Sequence, residues 1–222
     1  MSDDDRDSDQ VSVDELTKRF VPLRCIEDFQ MTVAAEKECL CAVVVTSFLC
    51  PFSAKFLPPF QEKLVMSQKP QVRRVRYFHV SLVPEEKTDI SELLKNDPVF
   101  IATKRAPTEL QKQQLRKQAY DNLLELLIML EVRSTPCMLF FVEGKILRVN
   151  DEVSDAPRVI ATGSSLRKWE MVLQNAVVRR NELMREYDAA QRKERRRIER
   201  EKRREARRRA RAEEAEEDEE DY

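Results

Sequence analysis

The sequence predicts an α/β domain, a mixed sheet flanked by helices, followed by a long charged C-terminal helix. Three observations carry this expectation. Short β-branched runs alternate with helix-length segments as far as about residue 163 of the 222. One of them, "LCAVVVTSF" at 40–48, is apolar without a break, the pattern of a strand covered on both faces. From Ser164 onward no glycine or proline interrupts the chain, and Gly144 and Gly163 are the only glycines anywhere. Few positive-φ turn residues and no breakers favour long helices.

The elements follow in order. Residues 1–12 form an acidic lead-in with too little apolar content to order itself. Ser12 and Glu15 stand at capping-box spacing, so a short helix is expected over 13–20. "VPLRCI" reads as a strand and "EDFQMTVAAEKE" as an amphipathic helix. After the strand at 40–48, a helix is expected over 51–66, kinked because Pro58 and Pro59 each remove a backbone donor. "RVRYFHVSLV" alternates as a strand does, which makes His79 a core or edge residue. A polar insertion at about 84–107 carries a short helix near 89–96 and the segment "VFIATKRAP", apolar anchors in a basic setting. Thr108 and Gln111 form a second capping box, opening a helix to about Glu131 whose second half is apolar nearly all round and expected to pack deeply. "CMLFFVEGKILRVN" reads as a hairpin about Glu-Gly-Lys, and "RVIATG" as a further strand. Leu166, Trp169, Val172, Leu173, Ala176 and Val177 then recur at helical spacing. The domain is therefore expected over 13–178, a charged helical extension over 179–212 and an acidic tail over 213–222.

Charge and cysteine usage bound the function. With 36% charged residues and a mean hydropathy of −0.59, the apolar residues must be concentrated in part of the chain. No run approaches the ~18 apolar residues of a membrane span, and the acidic start does not resemble a signal or transit peptide. The five cysteines, at 25, 39, 41, 50 and 137, lack zinc spacing, and His79 is the sole histidine, so no metal is expected. Reduced cysteines suit a cytoplasmic protein, with cytoskeletal, flagellar or nuclear association open. The formal net charge of −1 hides a strong segregation. Residues 192–211 hold thirteen arginines and lysines against four glutamates, and 213–221 hold eight acids. A basic helix of this kind serves RNA or an acidic protein surface, with Arg195, Arg196, Arg197, Arg203, Arg204, Arg207, Arg208 and Arg209 as the candidate contacts. The bland alternative is a solvated, self-paired helix, supported by Glu199 with Arg203 and Glu205 with Arg209 at i,i+4. No aromatics interleave the arginines for base stacking, and the missing a/d seam disfavours a self-sufficient coiled coil. The acidic stretch is expected to fold back as a brake.

The chemistry centres on "VVVTSFLCPFSAKFLPPF", in which a strand runs into Cys50 and then a helix. A thiol at a helix start gains from the free N–H groups there. Three residues on, where a second cysteine would close a disulfide, stands Ser53. This stretch, Pro58, and "EVRSTPCMLFFVEGK" resemble the thioredoxin-like superfamily. The resemblance covers about residues 13–178, with insertions near 84–107 and at "NDEVSDAP". It implies that Pro58, eight residues after Cys50, kinks the helix, and that Pro136 is a cis-proline facing the thiol. It also implies losses: the family's buried aspartate is Val44, its tryptophan before the cysteine is Leu49, and its resolving cysteine is Ser53. Cys137, after the proline, is not a known resolving position. "CPFS" is also similar to the glutaredoxin boxes, which would imply single-cysteine chemistry with glutathione. Against that, "TGSSL" stands where those proteins cap glutathione. The expected function is a redox-degenerate structural or adaptor subunit of a protein or ribonucleoprotein assembly. The alternative is a monothiol oxidoreductase or glutathione-binding protein using Cys50. Thioredoxin-like domains recur in axonemal dynein, spliceosomal and chaperone-associated complexes.

Overall fold

The computed structural model describes residues 20–65, 75–95, 97–150 and 155–220, and of these the backbone alone at 64, 65, 98, 99 and 208–220. The lead-in and the helix start expected before residue 20 lie outside them, as does the expected helix end at 66. The chain divides into two compact units, Met1–Val177 and Val178–Tyr222.

The first unit is built on a six-stranded mixed sheet. Strand β1 (Phe20–Pro22) leads to α1 (Ile26–Phe29), which widens into a π-turn at Gln30–Ala34. Strand β2 (Leu40–Ser47) leads to α2 (Pro51–Phe60), with a second π-turn at Gln61–Val65. Strand β3 (Val75–Leu82) is followed by a 3-10 turn, α3 (Ile90–Leu94), α4 (Pro98–Thr103) and α5 (Glu109–Met129). Strands β4 (Cys137–Val142), β5 (Lys145–Ile146) and β6 (Ile160–Thr162) precede α6 (Leu166–Glu220). The strand order is β1-β3-β2-β4-β5, with β1, β3 and β2 parallel and β4 antiparallel to β2. Strands β5 and β6 share the outer edge of β4, paired at Phe141–Val142 and at Cys137–Leu139.

The central strand explains the rest of the packing. All eight residues of β2 are buried, as its unbroken apolar run requires of a strand covered on both faces. Side chains alternate between the faces. Cys41, Val43 and Val45 join Phe78, Val80, Leu139 and Phe141 against Phe29 and Val33 of the α1 segment and Leu123 and Leu126 of α5. Ala42, Val44 and Thr46 lie on the opposite face by this alternation, together with Tyr77 and His79, their register partners or neighbours. An aromatic cluster covers that side: Phe56 and Phe60 of α2 meet Trp169 of α6 at 4.3 and 5.1 Å, and Phe60 meets Tyr77 at 6.3 Å. Trp169 is fully buried and its indole N–H donates to the Gly163 carbonyl at 2.9 Å, so its one polar group is satisfied.

Several expectations needed correction. Ile26, at the end of "VPLRCI", opens α1, because the bonding to β3 ends at Leu23, whose amide donates to the His79 carbonyl at 2.9 Å. The segment "VFIATKRAP" contributes the helix α4, with Asp97 Oδ1 accepting from the Phe100 amide as a cap. The deep packing expected of the second half of α5 holds for one side only: Leu123 and Leu126 are buried, whereas Ile128 is 75% exposed. The helix expected over 51–66 holds Pro58 and Pro59 inside its regular α-helical part, which ends at Phe60. Beyond Phe60, α2 gives way to a π-turn at Gln61–Val65. The capping box of α5 forms in both directions, with Thr108 and Gln111 exchanging bonds of 2.8 and 3.3 Å. The acidic stretch does not fold back. It continues α6 to Glu220, no glycine or proline being present to end the helix. Among the described residues no helix is long and apolar enough to cross a membrane.

Candidate functional site

The site is assembled where β2 ends. Ser47 closes the strand, and a tight turn follows in which the Cys50 amide donates to the Ser47 carbonyl at 3.1 Å. The Leu49 amide donates to Ser47 Oγ at 3.3 Å. Cys50 is the extended N-cap of α2, and Pro51 occupies the first helical position, where its missing donor costs nothing. The Ser53 amide donates to the Cys50 carbonyl at 3.0 Å. Sequence-local forces thus place the sulfur at the mouth of a helix.

The opposite wall comes from far along the chain. The Thr135–Pro136 bond is cis, and the Cys50 thiol donates to the Thr135 carbonyl at 3.3 Å across 85 positions. The loop is fastened from its other side by Gly163, whose amide donates to the Pro136 carbonyl at 3.2 Å. The Cys50 sulfur is therefore set against the carbonyl of the residue that precedes the cis Pro136.

Ser53 has a definite part here. It is 3% exposed, and its hydroxyl accepts the Ser47 amide at 3.2 Å. With a lone pair so occupied, the hydroxyl proton is left for the Cys50 sulfur. That hydrogen bond is the leading cause that holds the Cys50 thiol below its usual pKa, with the Ser53 and Phe52 amides adding to it. A half-exposed thiol at a helix mouth, supported by a hydroxyl, is equipped to act as a nucleophile. The buried cysteines are poorly suited to resolve a disulfide formed on it. Cys137 is buried in β4 opposite Val45, and desolvation pushes its thiol up to about 12. Cys41 is likewise pushed up to about 12 by burial. With Ser53 in place of a resolving cysteine, a mixed disulfide on Cys50 calls for a thiol from outside this helix start.

Beneath the site, Val44 is fully buried, and its register partner is His79. The His79 ring meets Thr46 Oγ1 at 2.8 Å and the Phe20 ring edge-on at 5.8 Å. Desolvation lowers His79 to about 4, so it is neutral at pH 7. Around Cys50 the surface is apolar: Phe48, Leu49 and Phe52 are 59%, 74% and 62% exposed. Sequence reasoning treated Leu49 only as a missing tryptophan. The usable signal was three large apolar residues flanking a thiol in a turn, where no strand or helix period assigns them to the core.

In the second unit, Arg195, Arg196, Arg197, Arg203, Arg204 and Arg207 are all exposed on α6. Arg195 lies on the side of the helix opposite Arg197 and Arg204, since 3.6 residues make a turn. The side chains of Arg208 and Arg209 lie outside the described residues. Among the described residues no group of three or more metal-ligating side chains gathers.

A parallel β1-β3-β2 unit, an antiparallel β4 edge, a cysteine capping the helix after β2 and a cis-proline against its sulfur define a thioredoxin-like fold. No family model matches the chain, and no curated protein matches it. Solved structures resemble it in outline. A thioredoxin from Malassezia sympodialis aligns at 9% identity and TM-score 0.41 over 71% of this chain and 90% of that one. A Fasciola hepatica thioredoxin aligns at 12% and 0.41 over 71% and 99%. A yeast mitochondrial 1-Cys peroxiredoxin aligns at 10% and 0.42 over 71% and 96%. The strand order and the cis Thr135–Pro136 bond, whose Thr135 carbonyl meets the Cys50 sulfur, define the fold independently of these likenesses.

Proposed function

We propose that this protein is a partner-binding subunit of a larger assembly, with the face around Cys50 as its docking surface. The observation that carries this reading is the exposure of Phe48, Leu49 and Phe52 beside the Thr135–Pro136 loop. Large apolar side chains gathered at one exposed turn are characteristic of interaction sites. Here they surround a thiol with Ser53 three residues on, where a second cysteine would close a disulfide. The reading takes the protein as cytoplasmic, where its five cysteines stay reduced. The test is native size analysis of the tagged chain expressed in its own cells. Leu49→Asp with Phe52→Asp is expected to release the chain from its complex, whereas Cys50→Ser is expected to remain in it. Retention of the double variant in the complex would sink the docking role of this face.

A second reading is supported by the lowered pKa of Cys50 and by the Ser53 hydroxyl that causes it. On this reading Cys50 performs monothiol exchange, with glutathione as the external thiol. It predicts that Cys50 is alkylated at pH 7 several-fold faster than the same cysteine in the denatured chain. Equal rates would exclude it.

A further inference from the structure

The basic part of α6 is not a uniformly charged rod. Advancing about 100° per residue, Arg192, Arg203, Arg196, Arg207, Arg200, Lys193, Arg204 and Arg197 fall in that angular order within an arc of roughly 140°. They cover about 22 Å of axis. The arc contains eight cations and nothing else between 192 and 207. Glu194, Glu199, Glu201 and Glu205 all fall outside it, as do Ile198 and Ala206 and the remaining cations Arg195 and Lys202. Every residue from 192 to 207 is exposed. Ion pairs draw on Arg197, at 2.9 Å from Glu194 and 3.9 Å from Glu201, and on Arg203, at 2.7 Å from Glu199. Among the described residues, none forms on Arg192, Lys193, Arg196, Arg200, Arg204 or Arg207.

We infer that this arc is a binding surface for the phosphate backbone of duplex RNA. A protein partner would bring an interface with an apolar core and a polar rim, and the arc has no apolar residue with which to form that core. A phosphate backbone requires only closely spaced cations, whose binding releases its condensed counterions. Guanidinium groups, seven of the eight cations, meet phosphate oxygens with paired donors. The one-sidedness of the charge also selects the duplex. A helix sunk in the major groove of DNA has phosphates on both flanks, and one flank of this helix carries Glu194, Glu201 and Glu205. A helix laid over the wide, shallow minor groove of A-form RNA presents one face alone. With no aromatic residue in the arc, unpaired bases gain no stacking platform. This inference is independent of the docking role of the Cys50 face.

The experiment titrates the full chain against a labelled RNA duplex of about 20 base pairs, a length that suits known duplex-RNA modules. Anisotropy is read from about 0.1 M KCl upward. Arg196→Gln with Arg200→Gln is expected to weaken binding about tenfold and to reduce the slope of log affinity against log salt by about 2. Arg195→Gln with Lys202→Gln removes the same net charge from outside the arc and is expected to change affinity less than about threefold, as substitutions away from the contact do. Equal losses in the two variants would overturn the inference. So would equal or tighter binding of a DNA duplex of the same sequence, or of a poly-glutamate peptide of matched charge.

Discussion

Cys50 is half-exposed and the arginine arc of α6 fully so, and the two are held in place by opposite means. The sulfur is positioned by a carbonyl 85 positions away, by a buried serine, and by a sheet whose strands must all be present. The arc is positioned by helical periodicity alone, and its stabilising contacts are i,i+3 and i,i+4 ion pairs such as Arg197–Glu194 and Arg203–Glu199. Chemistry at a point demands tertiary structure. Recognition by charge density along a line needs only a continuous helix.

The largest test of that difference is Trp169→Ala. The indole is fully buried against Phe56 and Phe60, so its removal is expected to destabilise the first unit by about 3–5 kcal/mol. Urea unfolding followed by Cys50 reactivity measures this, and RNA binding by the arc should survive at denaturant levels where the Cys50 environment is lost. Loss of both together would break the contrast.

Next comes the pH dependence set by His79. Its folded pKa of about 4 lies below the ordinary 6.5, so the unfolded chain binds the proton first. Stability is therefore complete above pH 6.5 and falls as the pH drops toward 4. The loss is on the order of 2–3 kcal/mol, the ring keeping some surface. His79→Gln should flatten the unfolding profile between those limits, and an unchanged slope would assign the effect to other groups.

Ser53→Ala sharpens the comparison at the site itself. Without the hydroxyl the Cys50 pKa rises, and alkylation at pH 7 is expected to slow by about three- to tenfold. An unchanged rate would mean that the helix mouth alone supports the thiolate. The smallest effect belongs to the second unit. Glu199→Gln removes the exposed pair with Arg203 and should cost only about 0.3–0.5 kcal/mol of helix stability, read as a small change in helical signal.

The elements legible in advance were those with a local cause. The run Leu40–Ser47, the Thr108–Gln111 box and the breaker-free stretch from Leu166 as far as 212 each became the element expected. The parts that differed depend on neighbours. Phe20–Pro22 is a strand because β3 lies beside it. Ile128 is exposed because α5 turns one side to the sheet, although its sequence is apolar on both. Phe48, Leu49 and Phe52 have the composition of core residues and lie on the surface.

What the amino-acid order determined by itself was the fold class, the place of the thiol at a strand–helix junction, the absence of a cysteine at 53, and the periodic separation of arginine from glutamate along α6. These follow from propensity and spacing, which act over a few residues. Tertiary structure decided that Ser53 is buried with its hydroxyl on the sulfur, that the cis Thr135–Pro136 loop faces Cys50, and that Cys137 is too desolvated to join it. Each of these depends on packing and solvent exclusion between segments distant in sequence, and periodicity carries no information about either.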